Sequence, residues 1–151
     1  MPATLIPNSS LVAVTWLREQ VPYLEGNVAT ELPRPADDNA WLAKGFVVVR
    51  PVGGTPGQNG LRRPVLSLSA YAKAKNSGRP PRNVANQCIE QIRAATIQYR
   101  TTPQLITAMP SAYKDAKVLD VTMRTEPTEM PGDEADYARY QADIEIWWVP
   151  V

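Results

Sequence analysis

The run Tyr137-Ala138-Arg139-Tyr140-Gln141-Ala142-Asp143-Ile144-Glu145-Ile146-Trp147-Trp148-Val149 decides the fold. Taken alternately, Ala138, Tyr140, Ala142, Ile144, Ile146 and Trp148 fall on one side, and Arg139, Gln141, Asp143, Glu145 and Trp147 on the other. A period of two held over a whole strand marks a sheet with one face buried and one wet. A strand of this length is expected to organise the sheet from its centre, with earlier strands paired to it and helices over its apolar side. Trp147 interrupts the polar side, so that face is expected to meet something besides water.

Its simplest partner is Lys117 to Thr125, where Leu119, Val121 and Met123 alternate with Val118, Asp120, Thr122 and Arg124. The connection from Glu126 to Asp136 is acidic, with Glu126, Glu129, Asp133, Glu134 and Asp136 around Pro127, Pro131 and Gly132, and predicts an antiparallel pair joined by a long loop. Val65 to Ala72 alternates too, with Leu66, Leu68, Ala70 and Ala72 facing one way. Gly45 to Val52 contains Phe46, Val47, Val48 and Val49 in one unbroken apolar run, which predicts burial on both faces and a central place. Between these two strands lie Gly53, Gly54, Pro56, Gly57, Asn59 and Gly60, a connection too long for a tight turn and expected to project. Arg62 and Arg63 stand at its return. Asn27 to Leu32 reads as a short strand before the polar loop from Pro33 to Asn39.

Two helices complete the pattern. Ala85, Cys88, Ile89, Ile92, Ala95 and Tyr99 recur at three- and four-residue steps and form one apolar stripe on a helix from about Asn83 to Tyr99. Cys88 lies in that stripe and reads as a small buried apolar residue. Asn8, Ser9 and Ser10 offer caps to a helix over Leu11 to Val21, stopped by Pro22. Leu11, Val14, Leu17 and Val21 share one side of it, but Val12 and Trp16 are apolar on another. A helix greasy around most of its circumference needs two surfaces: both within its own domain, or one on a neighbouring subunit. Helices set apart from a mostly antiparallel sheet predict a two-layer α+β domain with long projecting loops.

Composition excludes several kinds of chemistry. The 151 residues suffice for one domain with its own core, and the formal charge of +1 lacks the basic excess usual in nucleic-acid binders. No histidine is present, which removes Ser-His-Asp and Cys-His catalysis, imidazole metal sites and histidine pH switches together. One cysteine cannot close an internal disulfide. Neither a signal peptide nor a membrane-crossing run is read, so a soluble protein is expected. The glycines after Val52 lead into a strand with no Gly-Lys-Ser/Thr, unlike a phosphate loop. Asp133, Glu134 and Asp136 have no apolar flank to raise a carboxyl pKa and read as solvated charge. No catalytic, cofactor-binding or metal-binding residue is assigned, and no enzyme activity is expected.

Basic residues gather at Arg50, Arg62, Arg63, Lys73, Lys75, Arg79 and Arg82, with only Tyr71 near them as a stacking platform. They read as solvated loop charge, or as the counterpart of the acidic loop on another copy, a head-to-tail contact that closes a ring if the rotation fits.

The layout resembles a known family. A capped N-terminal helix with Trp16-Leu17 comes first, then Phe46-Val47-Val48-Val49-Arg50-Pro51-Val52-Gly53-Gly54 and a glycine-rich loop. Pro64-Val65-Leu66-Ser67-Leu68-Ser69-Ala70-Tyr71-Ala72, an alanine-rich helix and the long last strand follow. Over most of the chain this is similar to the tail terminator proteins of long-tailed bacteriophages, especially those infecting actinobacteria. The resemblance implies an α+β fold and a ring of six copies on the tail tube. Such a ring ends tube polymerisation and offers the surface on which the filled head docks.

The implied partners are other copies, the tail tube protein and a connector or neck protein, with DNA passing near the basic side chains in the lumen and no membrane. The implied location is the head–tail junction of the virion, reached from the host cytoplasm during assembly. From the residues themselves, Trp16, Trp147, Arg62, Arg63, Glu129, Asp133 and Glu134 are the candidate interface, and Gly53, Gly54, Gly57 and Gly60 the candidate projecting loop. Two other readings stay open: a neck or head-completion protein at the same joint, and a non-viral cytosolic α+β binding domain.

Overall fold

The computed structural model describes residues 5–32, 44–73, 81–130 and 137–151. Asp133, Glu134, Lys75 and Arg79 lie outside those residues, as do the tip of the acidic loop and residues 33–39. The elements in chain order are α1 (Ser9–Gln20), β1 (Val28–Ala29), β2 (Phe46–Pro56), β3 (Arg62–Lys73), α2 (Arg82–Gln98), β4 (Gln104–Ile106), β5 (Ala116–Met123), β6 (Thr128–Met130) and β7 (Tyr137–Pro150). A short 3-10 turn, Pro22–Leu24, follows α1. The fold is α+β, as the alternation predicts.

The sheet runs β1-β2-β3-β7-β5-β4, with β6 also on β7. Among the described strands only β1 and β2 pair in parallel, and an isolated parallel bridge joins Leu5 to Tyr113. The last strand is the organiser its sequence promises: β7 pairs antiparallel with β3, β5 and β6. Its apolar side is inward, with Ala138, Ala142, Ile144, Ile146 and Trp148 buried. Inward residues of β2, β3, β5 and β7 join Val12, Trp16 and Leu17 of α1 and Cys88, Ile89 and Ile92 of α2 in one core. Both helices thus cover one face of the sheet.

Local chemistry explains the helix ends. Asn8, in extended backbone, accepts a hydrogen bond from the Leu11 amide at 2.8 Å through its side chain, a good N-cap. The greasy circumference of α1 is used inside the protomer, since the helix packs on β1, β2, β3 and β4 and residues 12–17 are all buried. On α2 the single stripe Ala85, Cys88, Ile89, Ile92 and Ala95 is buried as read. Burial pushes the Cys88 thiol up to about 11, against a smaller lowering by a backbone hydrogen bond. The backbone of Gly45 passes this thiol so closely that a Cβ there would stand 2.7 Å from its sulfur, at a φ of +83°. Only glycine suits the position.

Three readings need correction. Gly53 and Gly54 are not loop residues: β2 runs on to Pro56, and the connection is confined to residues 57–61, where Gly57 and Gly60 sit. A bulge between Pro51 and Gly53 absorbs Val52, and the positive φ angles of Gly53 and Gly54 let the strand continue past it. At Gly54 a Cβ would lie 2.4 Å from the Arg63 carbonyl oxygen, so strand contact requires glycine. Phe46–Val49 is buried on both faces, but β2 is one strand from the sheet edge rather than central. Val47 and Val49 enter the main core, while Phe46 and Val48 join Tyr71, Ala29 and Leu32 in a small cluster on the opposite face.

On β5 the alternation shifts phase. Val118 faces inward opposite Trp148 and Val121 inward opposite Ile146, because a register shift at Leu119 lies between them. The short strand β4, after Pro103, has no period to announce it.

Candidate interaction surface

Registers place the outer face of the sheet residue by residue. Tyr71 lies beside Arg139, Ser69 beside Gln141, Ser67 beside Asp143, Val65 beside Glu145, and Glu145 beside Thr122 on β5. Trp147 stands opposite Asp120 and under Arg63, whose guanidinium carbon is 5.4 Å from the indole centroid. Trp147 is the aromatic on the wet face that the alternation singles out.

One end of this face is closed by the protomer's own side chains. Gln141 donates through Nε2 to Ser67 Oγ at 2.9 Å, and Arg139 donates to Ser69 Oγ at 3.3 Å while lying 5.3 Å from the centroid of Tyr71. These contacts bury Ser67 and Ser69 on the side that the alternation left wet.

At the other end Glu145 is engaged through both oxygens. Its Oε2 accepts from Trp147 Nε1 at 2.5 Å and its Oε1 from Arg124 Nη1 at 2.6 Å. The indole hydrogen bond first, and the Arg124 and Arg63 charges after it, hold this carboxyl below the usual glutamate range against the opposing effect of burial. The Nε of Arg63, like that of Arg139, is buried and has no hydrogen-bond partner among the described residues. Beside this group opens a cleft of about 730 Å³, lined by Val52, Gly53, Gly54, Thr55, Arg63, Val65, Arg124, Thr125, Asp143 and Glu145. Val52, pushed out by the bulge, is 58% exposed.

The sequence-predicted interface residues separate into groups. Trp147 and Arg63 are together on the outer face. Arg62 lies at the sheet end, its guanidinium 5.1 Å from the centroid of Trp148. Trp16 is not a surface residue: it is 0% exposed, donates through Nε1 to Gln104 Oε1 at 2.6 Å and meets Tyr99 edge-on at 6.3 Å. Its second surface is β4 and the end of α2, so it cannot touch another copy.

Glu129 is already paired, with Arg82 Nε at 2.7 Å, and Glu126 with Arg93 at 2.9 Å. The described part of the acidic segment is thus neutralised by α2 of its own chain, and Arg82 leaves the basic group offered to a neighbour. Alternation revealed Trp147, but Arg124, Glu145 and Val52 were missed, because a strand pattern shows which face a residue joins and not which cross-strand partner it finds.

The strand edges are managed differently. At β5, Asp120 accepts from the Thr101 amide at 2.7 Å, and Arg100 bonds to Thr122 Oγ1, so the loop after α2 covers the edge. At β2, the Val47 amide points outward to Asn27 O at 2.9 Å. Alternation gives Pro51 the same outward position, where a missing N–H blunts strand addition. No helix of the described residues is long and apolar enough to cross a membrane.

No protein-family model matches the chain. No curated protein matches it in sequence. In fold the chain is similar to a protein chain in the virion of a native gene transfer agent particle, at 11% sequence identity and a TM-score of 0.54, over 93% of this chain and 92% of that one.

Proposed function

We propose that this protein is a structural component of a phage-like virion, and specifically a tail terminator. Copies of it form a ring, six in number as the family resemblance implies, that caps the tail tube, ends its polymerisation and receives the head. It works by contact and transforms no molecule. The observation that carries this reading is the likeness of fold to a virion chain across nearly the whole of both chains. The arrangement of the sheet supports it: the helices cover one face, and the other carries an arginine-capped tryptophan and an open cleft.

The contact surface on this reading is the outer face around Trp147, Arg63 and Val52. It is not α1, whose Trp16 is internal. Addition of the purified protein to polymerising tail tube protein tests the role. The expected result is an arrest of tube growth, with extra density at one tube end in negative-stain images. Unchanged tube length with bare ends overturns it, and attachment to the head-side connector alone points to the neck role instead.

A further inference from the structure

We infer that Asp120 is a clasp: it holds the turn after α2 over an otherwise open edge of β5, and so keeps a second copy of the chain from pairing there. This role is additional to the ring and independent of it. The ladder on that side of β5 is interrupted. β4 pairs with β5 only from Gln104, opposite Val118, to Ile106, opposite Ala116. Beyond Val118 the same side of β5 has no strand partner among the described residues. The chain just before β4 runs back along this edge, with Thr101 against Asp120 and Arg100 against Thr122. It cannot extend the ladder. Pro103 has no amide to give, and Thr101 sits at a φ of +54°, which a β-branched residue rarely adopts.

Side chains bridge the gap instead. The Arg124 amide donates to Asp143 O on β7 at 2.7 Å, which by alternation turns the backbone groups of Val121 and Met123 away from β7, to the open edge. One oxygen of Asp120 meets both sides of the gap. Its Oδ1 accepts from the Val121 amide at 2.9 Å and from the Thr101 amide at 2.7 Å, and lies 3.3 Å from Arg100 Nε. Arg100 also bonds to Thr122 Oγ1. The Asp120 side chain is mostly buried, whereas that of Arg100 is half exposed.

A strained turn persists only where its surroundings hold it, and here its own amide and the neighbouring arginine converge on a single carboxylate oxygen. Without that oxygen the Val121 amide loses its acceptor, the turn is released, and the edge lies open from Leu119 to Met123. Beside it are Ile97, 70% exposed, and a cleft of about 350 Å³ between α2 and β5. An open strand edge with apolar ground next to it is a template for another strand. In a solution of this protein alone, the strand that meets it is the same edge of a second copy, which a two-fold contact pairs with itself.

Amide hydrogen exchange and light scattering on the whole protein test this role. In Asp120→Ala the amides of Thr101 and Val121 should exchange about tenfold faster or more. Its mass should also rise with concentration above that of the unaltered protein, whatever assembly the latter forms. Thr122→Lys added to Asp120→Ala should bring the mass back, because a lysine on an edge strand opposes pairing. Should Asp120→Ala fail to fold, Arg100→Ala decides, since that side chain is half exposed: the same two amides should exchange faster and the mass should rise. Unchanged exchange or unchanged mass in the deciding variant would overturn the inference. Association that survives Thr122→Lys would overturn it too, by placing the contact elsewhere. Ring formation is read from the mass of the unaltered protein, so its failure and the failure of the clasp remain distinct.

Discussion

Replacement of Trp148 by alanine tests the placement of β7 in the sheet more sharply than any other single change. Trp148 is 0% exposed, sits opposite Val118 on β5 and Arg62 on β3, and donates through Nε1 to Ser9 Oγ at 3.1 Å, tying the last strand to the start of α1. A buried tryptophan removes roughly 200 Å² from water. At about 25 cal/mol per Å² that is about 5 kcal/mol, an upper value because unfolded chains are already partly collapsed. Measured deletions of core aromatics cost about 3–5 kcal/mol. Ser9 is only half-buried and recovers water, so its lost hydrogen bond adds little.

A loss of about 4 kcal/mol lowers the Tm of a 151-residue chain by about 12 °C, given an unfolding entropy near 2.1 cal/mol/K per residue. Trp147→Ala, on the outer face, removes a half-exposed ring and its bond to Glu145, and should cost about 1 kcal/mol, or about 3 °C. Both variants should be melted by circular dichroism at two protein concentrations, so that lost association is not counted as lost fold. Equal shifts, or a larger shift for Trp147, would refute the face assignment and slip the strand by one residue.

Other changes probe separate parts of the account. Gly45→Ala should destabilise by about 2 kcal/mol in urea unfolding, since it combines a positive φ with a clash against Cys88; a neutral result would place the two backbones further apart. The Cys88 thiol, raised to about 11, should resist a thiol reagent at pH 8 in the folded protein and react on unfolding. Glu145 has a folded pKa below its unfolded value, so its stabilisation is complete above the unfolded pKa of about 4.3 and is lost as pH falls through the folded one. Accordingly, the stability gap between the protein and Glu145→Gln should be widest near neutrality and shrink below about pH 4; a gap that widens on acidification contradicts the network. Glu129→Lys breaks an exposed in-chain pair with Arg82 and should cost no more than about 1 kcal/mol. It should leave self-association unchanged by light scattering, whereas a loss of assembly would restore the head-to-tail pairing of charges.

Much of the architecture was legible because it rests on period. The alternation on β7 and β3 and the stripe on α2 each assign a buried face, and burial follows. Where period is broken locally, reading failed for identifiable reasons. The glycines and prolines after Val52 look like a loop, yet a bulge and positive φ angles carry the strand through them. A register shift at Leu119 moved Val118 to the inner face.

Trp16 shows the limit of amphipathic arguments. Its second surface is β4, a strand of three residues with no pattern of its own, so a fully internal residue looked spare. The site was half legible. Trp147 stands out by composition, but the two hydrogen bonds on Glu145 and the unmatched Nε groups of Arg63 and Arg139 arise from cross-strand geometry that no linear pattern encodes.

Native mass spectrometry of the purified protein, with and without tail tubes, tests the central claim most directly. The account predicts a discrete closed assembly, about six times the 16.7 kDa chain, either alone or recruited at tube ends. A protein that stays at the mass of one chain at every concentration, and leaves tubes unbound, would contradict it.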